Sequence, residues 1–94
     1  MALEFRILGP LEVLRDGEPL PVAGRVRRSL VALLVLHARE VVSTDRLIEE
    51  LWPGYDEGAR ARLQVYISQL RKFLGPEAAA VETRPGGYAL AVEP

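Results

Sequence analysis

The chain contains no cysteine and a single histidine. The first absence removes disulfide frameworks and thiolate metal sites, and it fits a reducing cytoplasm. The second leaves a zinc ion to carboxylates almost alone, a poor donor set, so no metal site is expected. Long apolar runs are missing as well. The longest, Leu30 to Leu36, falls far short of the roughly 20 residues a membrane-spanning helix needs. The opening residues MALEFRILGP break their apolar character with Glu4 and Arg6 and lack the apolar stretch of a signal peptide. These features give the expectation of a cytoplasmic protein without membrane contact. Catalytic signatures are absent too: there is no G-x-G-x-x-G, P-loop, H-E-x-x-H or nucleophile elbow. Glu49 and Glu50 are neighbours on a helix and splay apart, which is poor geometry for two carboxylates acting on one substrate. The sequence reads as a non-enzyme with no catalytic residues and no cofactor.

A surplus of positive charge is also lacking, since 12 basic residues meet 13 acids for a net charge of −1. Distribution matters more than the sum, because phosphate attraction acts within a Debye length of about 8–10 Å. Residues 19–39 contain no acid and carry Arg25, Arg27, Arg28 and Arg39; residues 58–76 contain none and carry Arg60, Arg62, Arg71 and Lys72. The acids Asp45, Glu49, Glu50, Asp56 and Glu57 gather between the two basic runs. On charge alone, solvated helix faces explain this segregation as well as nucleic acid does.

What is present is the composition of one globular domain: 94 residues, 49% hydrophobic and 27% charged. Residues 3–8, LEFRIL, alternate as a half-buried strand. After a turn at Gly9-Pro10, strands at 11–14 and 20–22 flank Asp16-Gly17, a hairpin signal because both residues tolerate positive φ. Pro19 and Pro21 put the last of these strands at an edge. A first helix is predicted from Gly24 to about Ala38, apolar on most sides and with its arginines crowded into the first turns, against the helix dipole. Val41-Val42 reads as an extended link. Ser43 caps a second helix that ends at Trp52-Pro53.

A third helix spans about Ala59 to Leu74, with Leu63, Ile67, Leu70 and Leu74 as one buried stripe. At 100° per residue its other face presents Ala61, Arg62, Val65, Ser68, Gln69 and Lys72, with Gln64 and Arg71 on one flank and Tyr66 on the other. Guanidinium, amide, hydroxyl and a small apolar group without any acid are the groups that read base edges and bind phosphates. Gly75-Pro76 ends the helix, an alanine-rich linker follows, and strands at 81–84 and 88–92 join through Pro85-Gly86-Gly87. The resulting order is sheet, three helices, hairpin. Both a helix-turn-helix with a wing and certain protein-interaction domains have this order.

Four segments together resemble a known family: FRILGPLEV, GRVRRSLVALLVLHAREVVSTDRLIEELW, LQVYISQLRKFLG and ETRPGGYAL. They are similar to the N-terminal domain of the Streptomyces antibiotic regulatory proteins, bacterial transcription activators with an OmpR-like DNA-binding fold. The resemblance implies an α+β winged helix-turn-helix over residues 1–94, with an N-terminal antiparallel sheet, three helices and a C-terminal β-hairpin wing. Any activation domain of such a regulator would lie beyond residue 94. It implies sequence-specific binding of double-stranded DNA, the third helix in the major groove and Arg84 of the wing in the minor groove. Arg62, Val65, Ser68 and Gln69 would face the bases, Gln64 on the flank would join the DNA-binding surface, Arg71 and Lys72 would hold phosphates, and Arg25, Arg27 and Arg28 would approach the backbone.

By the same resemblance Trp52 packs locally and presents its backbone or indole to a phosphate. Tyr66, on the flank of the third helix, has two readings: packing against the wing, or donating its hydroxyl to a phosphate. The loop 54–58 corresponds to a segment that touches RNA polymerase holoenzyme, and two copies would bind direct repeats head to tail in association with the nucleoid. Family relatives often carry arginines where Ser68 and Gln69 stand, so base preference does not transfer. The other reading is a winged helix that contacts polymerase or a regulatory domain without reading DNA.

Overall fold

A computed structural model describes residues 3–7, 11–54 and 57–92. At the N-terminus β1 (Leu3–Arg6), β2 (Glu12–Arg15) and β3 (Glu18–Leu20) form an antiparallel sheet in chain order. Asp16 and Gly17 both have positive φ, 51° and 83°, as the two-residue turn requires. Such a turn pairs the residues on either side of it, here Arg15 with Glu18. The return strand therefore starts at Glu18, not Leu20 as expected, and Pro19 is tolerated because β3 lies at the sheet edge. The expected turn at Gly9-Pro10 and the end of the first strand at Leu8 lie outside the described residues.

Helix α1 (Arg25–Leu36) buries Leu30, Val31 and Leu34, but its first turn holds no acid and no side chain caps it. It stops two residues before the expected Ala38. His37 leaves helical geometry, Arg39 turns the chain at φ 72°, and the Arg39 amide donates to the Leu90 carbonyl at 2.8 Å. Helix α2 (Thr44–Leu51) is capped as the sequence indicates, with Ser43 Oγ accepting from the Arg46 amide at 3.1 Å. It fully buries Leu47, Ile48 and Leu51. Helix α3 (Ala59–Leu74) buries Ala59, Leu63, Ile67 and Leu74 and ends at Gly75, whose φ is 60°. Leu70, expected in the buried stripe, is only half-buried. The three apolar stripes meet in one core that also takes in Val42, Val81 and Leu90.

The expected alanine-rich linker is a 3₁₀ stretch, Gly75–Ala80. Here Arg15 of β2 donates to the Leu74 carbonyl and to Glu77 Oε2, the latter at 2.9 Å. A guanidinium on the last carbonyls of a helix satisfies orphan acceptors and suits the dipole. That contact ties the N-terminal sheet to the end of α3.

The wing is formed by β5 (Val81–Arg84) and β6 (Gly87–Leu90), but it is not a free hairpin. Val42–Ser43 forms a short strand, β4, that pairs with β6 and makes a three-stranded sheet in the order β4-β6-β5. The extended link expected at Val41-Val42 is thus a sheet member. The turn has two residues, Pro85 and Gly86, the Pro-Gly order of a type II turn, with Gly86 at φ 80°. Gly87 belongs to the strand, opposite Arg84 and Ser43. A Cβ there would lie 2.1 Å from the Val42 carbonyl oxygen, so only glycine lets β4 and β6 approach. The Thr44 amide donates to the Gly86 carbonyl at 2.9 Å, fastening the wing turn to the start of α2.

Candidate nucleic-acid interface

Burying Leu63, Ile67 and Leu74 forces the opposite side of α3 outward. Ala61, Arg62, Gln64, Val65, Ser68, Gln69 and Lys72 are all exposed, as the 100° rotation predicts. Val65 is 53% exposed, an apolar side chain presented to solvent amid polar neighbours. Such a group suits a thymine methyl better than it suits water.

Three contacts hold parts of this face in place before any ligand arrives. Trp52, the C-cap of α2, lies against Tyr66 with ring centroids 5.7 Å apart and planes tilted by 50°. The Arg62 guanidinium sits over the Trp52 ring, 5.2 Å from its centroid. Trp52 is therefore a platform for Tyr66 and Arg62, and the local packing expected of it is present. Its backbone amide donates to the Ile48 carbonyl at 2.8 Å, so of its two N–H donors it is the indole that this bond leaves for a phosphate. Tyr66 packs against Trp52. The third contact runs from α1: Arg27 Nη2 donates to Gln69 Oε1 at 2.8 Å. Arginine has only donors, so the bond takes the Gln69 carbonyl oxygen and does not use its amide N–H groups.

Arg71 departs from expectation. Its guanidinium is half-buried, donating through Nε and Nη2 to the Val81 carbonyl at 3.1 and 2.8 Å and through Nη2 to Thr83 Oγ1 at 2.9 Å. These bonds brace α3 against β5. Arg84 stands exposed beside the wing turn and pairs with Glu82 at 3.2 Å. Both partners are about half exposed, so the pair is weak and easily exchanged for another anion. Arg25 and Arg28 on α1 and Lys72 on α3 are exposed, and no salt bridge among the described residues engages them.

Arg60, in the acid-free run but not assigned to the site, opens α3 and pairs with Asp45 of α2 at 2.8 Å on an open surface. Periodicity places Arg60 on the helix but says nothing of its partner. The loop 54–58 lies partly outside the described residues. Among the described residues no cluster of histidine, aspartate or glutamate is grouped to hold a metal, and no helix is long and apolar enough to cross a membrane.

Three helices with an exposed third, flanked by a two-stranded wing and preceded by an antiparallel sheet, define an α+β winged helix of the OmpR-like kind. The sequence matches the family described as transcriptional regulatory protein, C terminal, over residues 21–90, and the chain belongs to that family. Among curated relatives, the transcriptional regulatory protein EmbR of Mycobacterium tuberculosis is 38% identical over 97 residues, covering 96% of this chain and 24% of EmbR. The regulatory protein AfsR of Streptomyces coelicolor is 38% identical over 90 residues, 95% of this chain and 9% of AfsR. The regulatory protein DnrI of Streptomyces peucetius is 34% identical over 103 residues, 98% of this chain and 38% of DnrI.

These relatives bear out the resemblance to the Streptomyces antibiotic regulatory proteins. The chain spans about a quarter of the length of EmbR. The structure of M. tuberculosis EmbR in complex with a low-affinity phosphopeptide superposes with a TM-score of 0.88 at 36% identity, over 97% of this chain and 25% of that one. The C-terminal domain of the nisin resistance regulator NsrR, a lantibiotic response regulator, has a TM-score of 0.68 at 23% identity, over 96% of this chain and 94% of that one, and shows the shared fold.

Proposed function

We propose that this domain reads double-stranded DNA at promoters as the address-finding part of a bacterial transcription activator. The observation that carries the reading is the outward face of α3, continuous, exposed and without an acid. A B-DNA major groove about 12 Å wide admits one helix. With α3 in it, Arg62, Gln64, Val65, Ser68 and Gln69 meet base edges, and Lys72 meets a phosphate at the helix end.

The bracing contacts support division of labour. Arg71 sets the angle between α3 and the wing, so that Arg84 reaches the neighbouring minor groove when α3 is seated. Arg84 then exchanges its surface pair with Glu82 for the negative potential of that groove. Trp52 orders Arg62 and Tyr66, which lowers the entropy lost on binding. Arg25, Arg27 and Arg28 crowd the dipole-positive end of α1, where a DNA phosphate is the favourable counter-charge. Two copies bind direct repeats about one helical turn apart, head to tail, and the loop 54–58 meets RNA polymerase. The setting is the cytoplasm, at the nucleoid.

Selection of bound sequences from a random duplex pool tests the reading. Enrichment of a repeated motif supports it. Failure to enrich any motif, together with salt-insensitive capture of polymerase, would replace it with a protein-interaction module.

A further inference from the structure

Between the first turns of α1 and the C-terminal half of α3 the protein carries a cleft of about 330 Å3. That is the lower end of the range for small-molecule sites. Leu30 and Val31 of α1 form its floor and are buried; Val22, Leu70 and Phe73 form its walls and are half-buried. This is why Leu70 escapes the burial that its place in the α3 stripe predicts: it opens onto the cleft. The link 21–23 between β3 and α1 lines it on a third side.

The rim is equally one-sided. Arg27, Gln69 and Lys72 reach it, and among the described residues no acid does. The Arg27–Gln69 hydrogen bond spans α1 and α3 at this point, and its acceptor is neutral, so the charge of Arg27 stays uncompensated by it. Lys72 has no salt bridge among the described residues. Phosphate binding asks for the cations but has no use for an apolar floor. Packing alone asks for the floor but not for two cations over it. An apolar body with one anionic group uses both.

We propose that this cleft binds a small amphipathic carboxylate, its apolar part on Leu30, Val31 and Phe73 and its carboxylate between Arg27 and Lys72. The ligand competes with DNA, because Arg27, Gln69 and Lys72 belong both to the rim and to the surface assigned to DNA. The binding half stands without the DNA reading; the competitive half rests on it.

The test titrates the full 94-residue chain with sodium octanoate, with 1-octanol as the neutral control, and follows both by amide correlation spectroscopy. The expected result is saturable one-site binding, with shifts concentrated in residues 21–31 and 66–73. Octanoate should bind about tenfold or more tightly than octanol, the scale of hydrogen bonds to a charged group. The double variant R27M K72M should erase that preference while its spectrum remains dispersed. Non-saturating shifts, shifts scattered over the surface, or equal binding of the two probes overturn the site.

In a second arm, octanoate should displace a selected duplex, and Ala23→Phe, which fills the cleft from the link, should bind the duplex but no longer respond. Simultaneous binding without mutual effect overturns the competition. Octanoate binding in a protein that binds no duplex leaves the site standing and removes the DNA reading; duplex binding without octanoate binding does the reverse.

Discussion

The Arg71 guanidinium closes on the Val81 carbonyl from both Nε and Nη2, at 3.1 and 2.8 Å, and joins α3 to the first strand of the wing. Val81 is 2% exposed, so its carbonyl lies where water is a poor replacement for these donors. Arg71→Met keeps the apolar stem and removes the donors. It should lower stability by about 1–3 kcal/mol, read as a fall in the denaturant midpoint. It should also weaken DNA binding, because the wing loses its set angle. Unchanged stability would show that this brace carries nothing.

Gly87 and Gly17 separate two reasons for glycine. At Gly87 a methyl would meet the Val42 carbonyl oxygen at 2.1 Å, so Gly87→Ala must push β4 and β6 apart. A cost of about 1–3 kcal/mol is expected, with peak broadening around 42–44 and 86–88 in amide spectra. At Gly17 space is open but φ is +83°, and Gly17→Ala should cost about 1–2 kcal/mol through backbone strain alone, leaving the wing spectrum untouched. Equal spectral effects on the wing would contradict this distinction.

Arg84→Ala should reduce DNA affinity in a mobility-shift titration while leaving thermal stability within about 0.5 kcal/mol of the parent, since its surface pair with Glu82 is worth little. A stability loss without an affinity loss would place Arg84 in the fold and not in the interface.

Gln69→Ala and Arg62→Ala should each relax base preference at one position of the selected motif, by about 1–3 kcal/mol of discrimination. Trp52→Leu should imitate Arg62→Ala in part, because the Arg62 guanidinium loses the ring beneath it. An unaltered motif in all three variants would remove α3 as the reading element.

Salt dependence counts the phosphates. With about four to six contacts from the α1 arginines, Lys72 and neighbouring donors, log affinity should fall against log salt with a slope of about −4 to −5. A slope near zero would exclude the DNA reading.

Much of this protein was legible in one dimension because its signals are local. Ser43 caps α2, Gly75 stops α3, and Asp16-Gly17 turns the first hairpin, each through the φ or the hydrogen bond that its own residue type supplies. The outward face of α3 followed from 100° per residue once its buried stripe was identified. The short strand β4 was not legible, since two residues have no period, and it exists only because β6 offers backbone partners.

By itself, then, the sequence determined that there are three helices, the Ser43 cap of α2, the Gly75 stop of α3, the Asp16-Gly17 turn and the acid-free face, all set by interactions within a few residues. Only the tertiary structure decided what the arginines do. Arg15 reaches Glu77 across 62 positions, Arg27 reaches Gln69 across 42, and Arg71 turns inward to Val81 while Lys72 beside it stays out. A guanidinium on a long flexible stem binds whichever acceptor packing brings near, and helical period places its Cα without choosing that acceptor.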